Sequence, residues 1–234
     1  MEPLPTKRSK GDYARDTARA AISMVPMAGG PLQVAFEALF SAPIEKRKER
    51  WLQQLSEVVV ELGARVDELT PERLVQDDVF VTVVMQASQI ALRNHQSEKL
   101  EALRNAVLNA VLSTIEEDEK FIFLRLIDQL APVHLRLLKF LDDPGKWMDV
   151  HGIGNPGWSM GGVSTVIEHC FPAMAGRREV YDQVIRDLQT EGLVSQGSFA
   201  HVTMSGSGML ESRSSPRGRA FLQFITDTAL SRQP

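Results

Sequence analysis

From Arg178 to Ile225 the apolar residues change their spacing in an order that few folds accommodate. Val180, Tyr181, Val184, Ile185 and Leu188 recur at helical spacing, so one face of a helix is apolar. Glu191-Gly192-Leu193-Val194 then supplies a glycine helix cap and the start of a strand. Phe199 to Leu210 reads as a hairpin turning at Ser205-Gly206-Ser207-Gly208, after which Pro216 and Gly218 lead into Phe221, Leu222, Phe224 and Ile225. Helix, short strand, glycine-tipped wing and closing helix is the order of the second half of a winged helix. The fold leaves function open, because winged helices bind DNA, bind proteins or only complete a core.

Upstream the pattern is nearly continuous helix to Leu141, which predicts a predominantly all-α chain. Residues 1–12 read as a flexible N-terminus, 13–130 as a helical bundle and 131–234 as the winged-helix domain. The first helix, Tyr13 to Val25, has the small packing face Ala14, Ala18, Ala21 and Ile22, and Pro26 to Pro31 breaks it. A short helix to Phe40 follows, and Ser41 before Pro43 predicts the start of a third. Trp51, Leu55, Val58, Leu62, Val66 and Leu69 give that third helix alternating steps of four and three, the spacing of a packed seam. Thr70-Pro71 starts the next helical region. Val79 to Ala91 and Leu100 to Val111 each outline an apolar stripe. Phe121 to Leu130 is apolar around so much of its circumference that it should sit centrally. Val133 to Leu141 then forms the first winged-helix helix, ending at Asp142-Asp143-Pro144.

The 234 residues suffice for a real core, and the net charge of −4 gives no overall bias toward nucleic acid or anionic membrane. Any such contact must come from a local patch. One cysteine, Cys170, excludes an internal disulfide and fits a reducing cytoplasm. Asp12, Arg15, Asp16 and Arg19 interrupt what would be the apolar core of a signal peptide after Lys7, Arg8 and Lys10, so a cytoplasmic location is expected.

Gln76-Asp77-Asp78, Arg104-Asn105-Ala106-Val107-Leu108-Asn109-Ala110 and Leu126-Ile127-Asp128-Gln129-Leu130-Ala131-Pro132, running into a winged helix, resemble the prokaryotic abortive-infection alpha group. The likeness covers Asp77 to Leu141. It implies a cytoplasmic, non-enzymatic accessory in bacterial defence against phage.

Catalytic and cofactor chemistry has little to build on. Gly152-Ile153-Gly154-Asn155-Pro156-Gly157 matches G-x-G-x-x-G, but no βα alternation surrounds it, so a loop is expected. His95, His134, His151, His169, His201 and Cys170 stand in no metal-ligand spacing, and no strand-turn-helix elbow presents a nucleophile. The reading is therefore no enzyme, no metal, no cofactor and no small-molecule substrate. Asn105 and Asn109 share a helix face, where they either meet a partner's backbone or tie a neighbouring helix end within the domain.

Three kinds of contact remain. For duplex DNA the candidates are Arg177, Arg178 and Arg186 on the recognition helix, with His201, Arg213, Arg217 and Arg219 in or after the wing. Glu179, Asp182, Asp187 and Glu191 oppose them, and Arg178, Asp182 and Arg186 at i, i+4 steps form an ion ladder, which disfavours DNA. For membrane, residues 20–36 are uncharged, but two prolines and two glycines prevent a single spanning helix. An effector using this apolar hairpin is the third reading, behind a DNA-binding regulator. For another protein or a second copy, the glycine-rich stretch Lys146 to Gly162 carries Trp147, Met148, Trp158 and Met160. Either these form an interface or they fold back over the domain's core. A protein partner or self-association is the expected role.

Overall fold

A computed structural model describes the backbone from Pro31 to Asp227 and side chains from Ile44 to Asp227. The expected helix at 13–25, the break after it and most of the apolar stretch at 20–36 lie outside the described residues. The chain divides into two units, residues 1–52 and 53–234. In the first, helix α1 (Pro31–Arg65) begins, and it runs on into the second. The start expected at Ser41-Pro43 does not occur. Pro43 removes one backbone donor, but the strong helix formers around it, Glu45-Lys46-Arg47-Lys48-Glu49, carry the helix through.

In the second unit Val58 and Leu62 of the expected seam are fully buried, whereas Val66 falls past the helix end and is exposed. A short helix α2 (Pro71–Leu74) follows, capped by the Thr70 hydroxyl. Helix α3 (Asp78–Arg93) is capped by Asp77, which accepts the Phe80 N–H at 3.0 Å. Helices α4 (Ser97–Leu112) and α5 (Glu117–Gln129) complete the bundle, each pair of α3, α4 and α5 in contact. The most enclosed helix is α4, in place of the expected α5. Ala102, Ala106 and Ala110 let neighbours approach closely, and Leu103, Val107 and Leu108 are wholly buried among them. Each such aliphatic side chain contributes about 1.5 to 3 kcal/mol. Phe121 and Ile122 of α5 keep partial exposure, while Phe123, Leu124, Leu126 and Ile127 are buried.

Beyond the bundle come α6 (Pro132–Asp142), α7 (Pro144–Val150), β1 (Met160–Gly161) and α8 (Val163–Cys170). A 3-10 turn (Pro172–Met174) leads to α9 (Arg178–Thr190), β2 (Met204–Ser205), α10 (Gly206–Met209) and α11 (Pro216–Ile225). The described fold is mostly helical with one small antiparallel sheet. The boundary expected near residue 130 is bridged, because α11 packs on α4 and α5 as well as α6. The rings of Phe221 and Phe224 meet Phe123 at 5.3 and 5.7 Å.

The expected hairpin at 199–210 does not form locally. Met204 and Ser205 pair with Gly161 and Met160, and Ser205, expected in the turn, caps α10 through its hydroxyl. The Ser-Gly run is thus a helix start. A second antiparallel bridge joins Val194 to Ser214.

Asn105 and Asn109 tie a neighbouring helix end. Asn109 Nδ2 donates to the carbonyls of Gln223, Phe224 and Thr226 at 3.0, 3.0 and 2.8 Å, and Asn105 Nδ2 to that of Ile225 at 3.1 Å. A helix leaves its last carbonyls without intrahelical donors, and these two amides satisfy them for α11 in a buried place. Beside them Glu61 bridges Arg65 and Arg104, and Arg65 also holds Asp227 at 2.8 Å.

Candidate functional site

The outward face of α9 and the segments beside it hold most of the residues singled out in the sequence. Tyr181, Val184, Ile185 and Leu188 turn inward, toward α6 and the 3-10 turn, as the periodicity requires. That leaves Arg178, Glu179, Gln183 and Arg186 outside. Asp182 is the hub of this face: its carboxylate meets Arg178 Nε at 3.3 Å and His201 Nε2 at 2.7 Å. One turn on, Asp187 accepts Gln183 Nε2 at 2.7 Å and His134 Nε2 at 3.1 Å. Because the Ala131 N–H donates to His134 Nδ1, the other ring nitrogen is left to donate to Asp187. The expected ladder is half formed, since Arg186 turns to the Gln183 amide at 2.8 Å rather than to Asp182.

The remaining cations divide. Arg177 stands exposed before α9, and Arg217 is half-buried in the first turn of α11. Arg213 is folded under the 199–210 segment, donating to the Gly208 carbonyl at 2.7 Å and lying 5.8 Å from the centre of the Phe199 ring. Arg219 donates to the Ser214 carbonyl at 2.9 Å. Arg213 and Arg219, phosphate-facing candidates in the sequence, are thus bonded to main-chain carbonyls near the Val194–Ser214 bridge, and Arg219 keeps an exposed surface. Local sequence did not signal the bond from Tyr181 Oη to Glu168 at 2.9 Å, which joins α9 to α8. Burial, aided by that carboxylate, pushes the Tyr181 phenol up to about 12.

The stretch from Lys146 to Gly162 is not wholly irregular, because α7 occupies its first residues. Asp143 accepts the Lys146 N–H at 2.9 Å and Pro144 opens the first turn, so the helix has both start signals. Met148 is buried. The Trp147 ring stacks on His151 at 3.9 Å and tilts against Phe171 at 5.4 Å, with its buried Nε1 unpaired among the described residues. Trp158 is half-buried, edge-on to His169 at 5.1 Å. Met160 on β1 is 68% exposed, and Val150 and Val202 are exposed too. The four candidates thus divide: Met148 is buried and the half-buried Trp147 packs on Phe140 and Phe171, while Trp158 and Met160 reach the surface with fewer ring contacts.

Gly152 to Gly157 lies in the loop between α7 and β1, and the next helix starts only at Val163. Desolvation pushes the Cys170 thiol up to about 11, which keeps it protonated at neutral pH. Among the described residues no His, Cys, Asp and Glu cluster could hold a metal ion, and no helix is long and apolar enough to cross a membrane. No family model, curated protein or solved structure matches this chain.

Proposed function

We propose that the chain is a non-enzymatic interaction protein whose region from Pro132 to Ile225 is arranged as a winged helix and serves protein contacts rather than duplex-DNA reading. The winged-helix reading rests on element order: α6, the short α7, β1, α8 and α9, then a strand residue at Val194 bridged to Ser214, with β2 returning beside β1. The observation that carries the functional reading is the pairing of Asp182 and Asp187 on α9 with neighbouring cations and amides. A face that neutralises itself releases few counterions on meeting phosphate, so it gains little of the electrostatic affinity on which DNA binding depends. A role in phage defence, in the cytoplasm, is part of the same proposal and is supported by the resemblance over Asp77 to Leu141.

Fluorescence anisotropy with mixed-sequence duplexes tests the reading. Weak binding is expected, with Kd above about 10 μM near physiological salt, within the non-specific range. Sub-micromolar binding that falls steeply with salt and weakens in Arg178→Ala plus Arg186→Ala would replace it with the DNA-binding regulator.

The contact surface proposed is the exposed part of the 146–162 segment. Trp158→Ala is expected to weaken association with a partner or a second copy by roughly 1 to 4 kcal/mol and to leave the melting temperature nearly unchanged. Trp147→Ala, which removes a ring packed on Phe171 and His151, should lower the melting temperature instead. Oligomer mass and melting curves on both variants decide; a destabilised Trp158→Ala with unaltered assembly would sink the interface.

A further inference from the structure

We propose that Asp182 closes the outward face of α9 to nucleic-acid phosphate by occupying, with its own carboxylate, the place between Arg178 and His201 that a phosphate would take. This rests on the reading that the face does not serve DNA, and it names the residue responsible. The two groups that Asp182 engages come from different parts of the chain, Arg178 from α9 and His201 from the segment before β2. In a winged helix those are the recognition helix and the wing, which contact the duplex together. A carboxylate offers them the charge-assisted hydrogen bonds that a phosphate oxygen would.

The surrounding charges make Asp182 decisive. Arg177 and Arg178 stand at the N-terminal end of α9, and among the described residues the Arg186 side chain is held only by the neutral Gln183. Against them, Glu179 is exposed, Asp187 is engaged by His134 and Gln183, and Glu168 on α8 accepts the Tyr181 hydroxyl. From Arg177 before α9 to Glu191 at its end, then, three arginines at 177, 178 and 186 face carboxylates at 179, 182 and 187, while the fourth, Glu191, is set against Arg125 of α5 at 3.9 Å, so the charges balance. Neutralising Asp182 tips that balance to positive and frees both of its partners. Neutralising Asp187 tips it equally but frees no arginine.

The test is Asp182→Asn in the full chain, with Asp187→Asn as the charge-matched control and Asp182→Asn plus Arg178→Ala as the reversal. Anisotropy with a mixed-sequence duplex is read at about 50 and about 200 mM salt. Asp182→Asn should bind about tenfold tighter than wild type at the lower salt, with a salt slope steeper by about one to two ions. Asp187→Asn should stay within about threefold of wild type, and the double variant should return to it. If Asp182→Asn melts well below wild type, Asp182→Ser is read in the same way. No gain in the Asp182 variants, or an equal gain in Asp187→Asn, overturns the proposal and leaves the protein-contact reading standing. Tight, salt-steep binding by wild type overturns both.

Discussion

Gly218→Ala is expected to destabilise the protein by about 2 to 4 kcal/mol, although it replaces a poor helix former with the best one in the first turn of α11. Propensity alone would predict a gain of up to about 1 kcal/mol. Geometry opposes it: a Cβ at this position would stand 2.0 Å from the Leu193 carbonyl oxygen and 2.9 Å from its carbon. Neither atom can step aside, because both are main chain. That same carbonyl accepts the Ser215 N–H at 2.9 Å, and the neighbouring Val194 is bridged to Ser214. Relief would have to come from moving α11 off the strand residues, and with it the Phe221 and Phe224 rings that pack on Phe123. Gly63→Ala in α1 is the control, since its Cβ would meet only the Leu69 carbonyl oxygen at an ordinary 3.7 Å. It should be neutral or mildly stabilising. Urea unfolding of both variants reads the difference, and a Gly218→Ala protein as stable as wild type would show that α11 does not approach Leu193 so closely.

Asn109→Leu should cost a comparable amount, about 2 to 4 kcal/mol, despite adding an apolar side chain to a buried place. Leucine is larger than asparagine and carries no donors. The carbonyls of Gln223, Phe224 and Thr226 would lose the amide that all three share. Buried acceptors without donors carry the full desolvation penalty, which the gain from an added aliphatic group does not offset. Asn105→Leu removes the donor to one helix-end carbonyl, Ile225, and the 3.3 Å bond that Asn105 Oδ1 accepts from Arg104, which stays paired with Glu61, so a smaller loss is expected. In the double variant the two losses should not simply add, because the amides serve adjacent carbonyls of one helix end. Unfolding midpoints for the two single variants and the double variant test this, and an Asn109→Leu loss below about 0.5 kcal/mol would mean that the end of α11 is satisfied by other donors.

Much of this architecture was legible because helical periodicity is a local property. The stripes Val83, Ala87, Ile90 on α3 and Tyr181, Val184, Ile185, Leu188 on α9 are buried as their spacing requires. The start signal at Thr70-Pro71 worked, since Thr70 caps α2; the sequence offered Asp77 only as part of an acidic step, and it caps α3. Asp143-Pro144, which reads as a helix end, carries the same signal, and α7 starts there. The signal misled at Ser41-Pro43, because a capping residue and a proline specify a helix start only if the preceding turn cannot continue. The side chains of the candidate site divide along similar lines. Outward positions on α9 follow from its apolar face, so Arg178 and Arg186 were found in the sequence. The inward turn of Arg213 was not, since a long cation in a loop carries no periodicity to fix its direction.

What the sequence alone determined is most of the longer helices, their inward faces and the near cancellation of charge along α9. These depend on residues within a few turns of one another. Tertiary structure alone decided which segments meet. Met160-Gly161 pairs with Met204-Ser205 because α8 and α9 bring those segments together, and a two-residue strand has no alternation from which to read its partner. The same holds for Asp182: its place on a helix face was readable, but its bond to His201 exists only because the chain returns past α9 on the way to β2. Asn105 and Asn109 were legible as buried amides in need of acceptors, and the fold supplied those acceptors by laying the carbonyl end of α11 across α4. A donor without a local acceptor leaves its partner open in the sequence, and chain topology closes it.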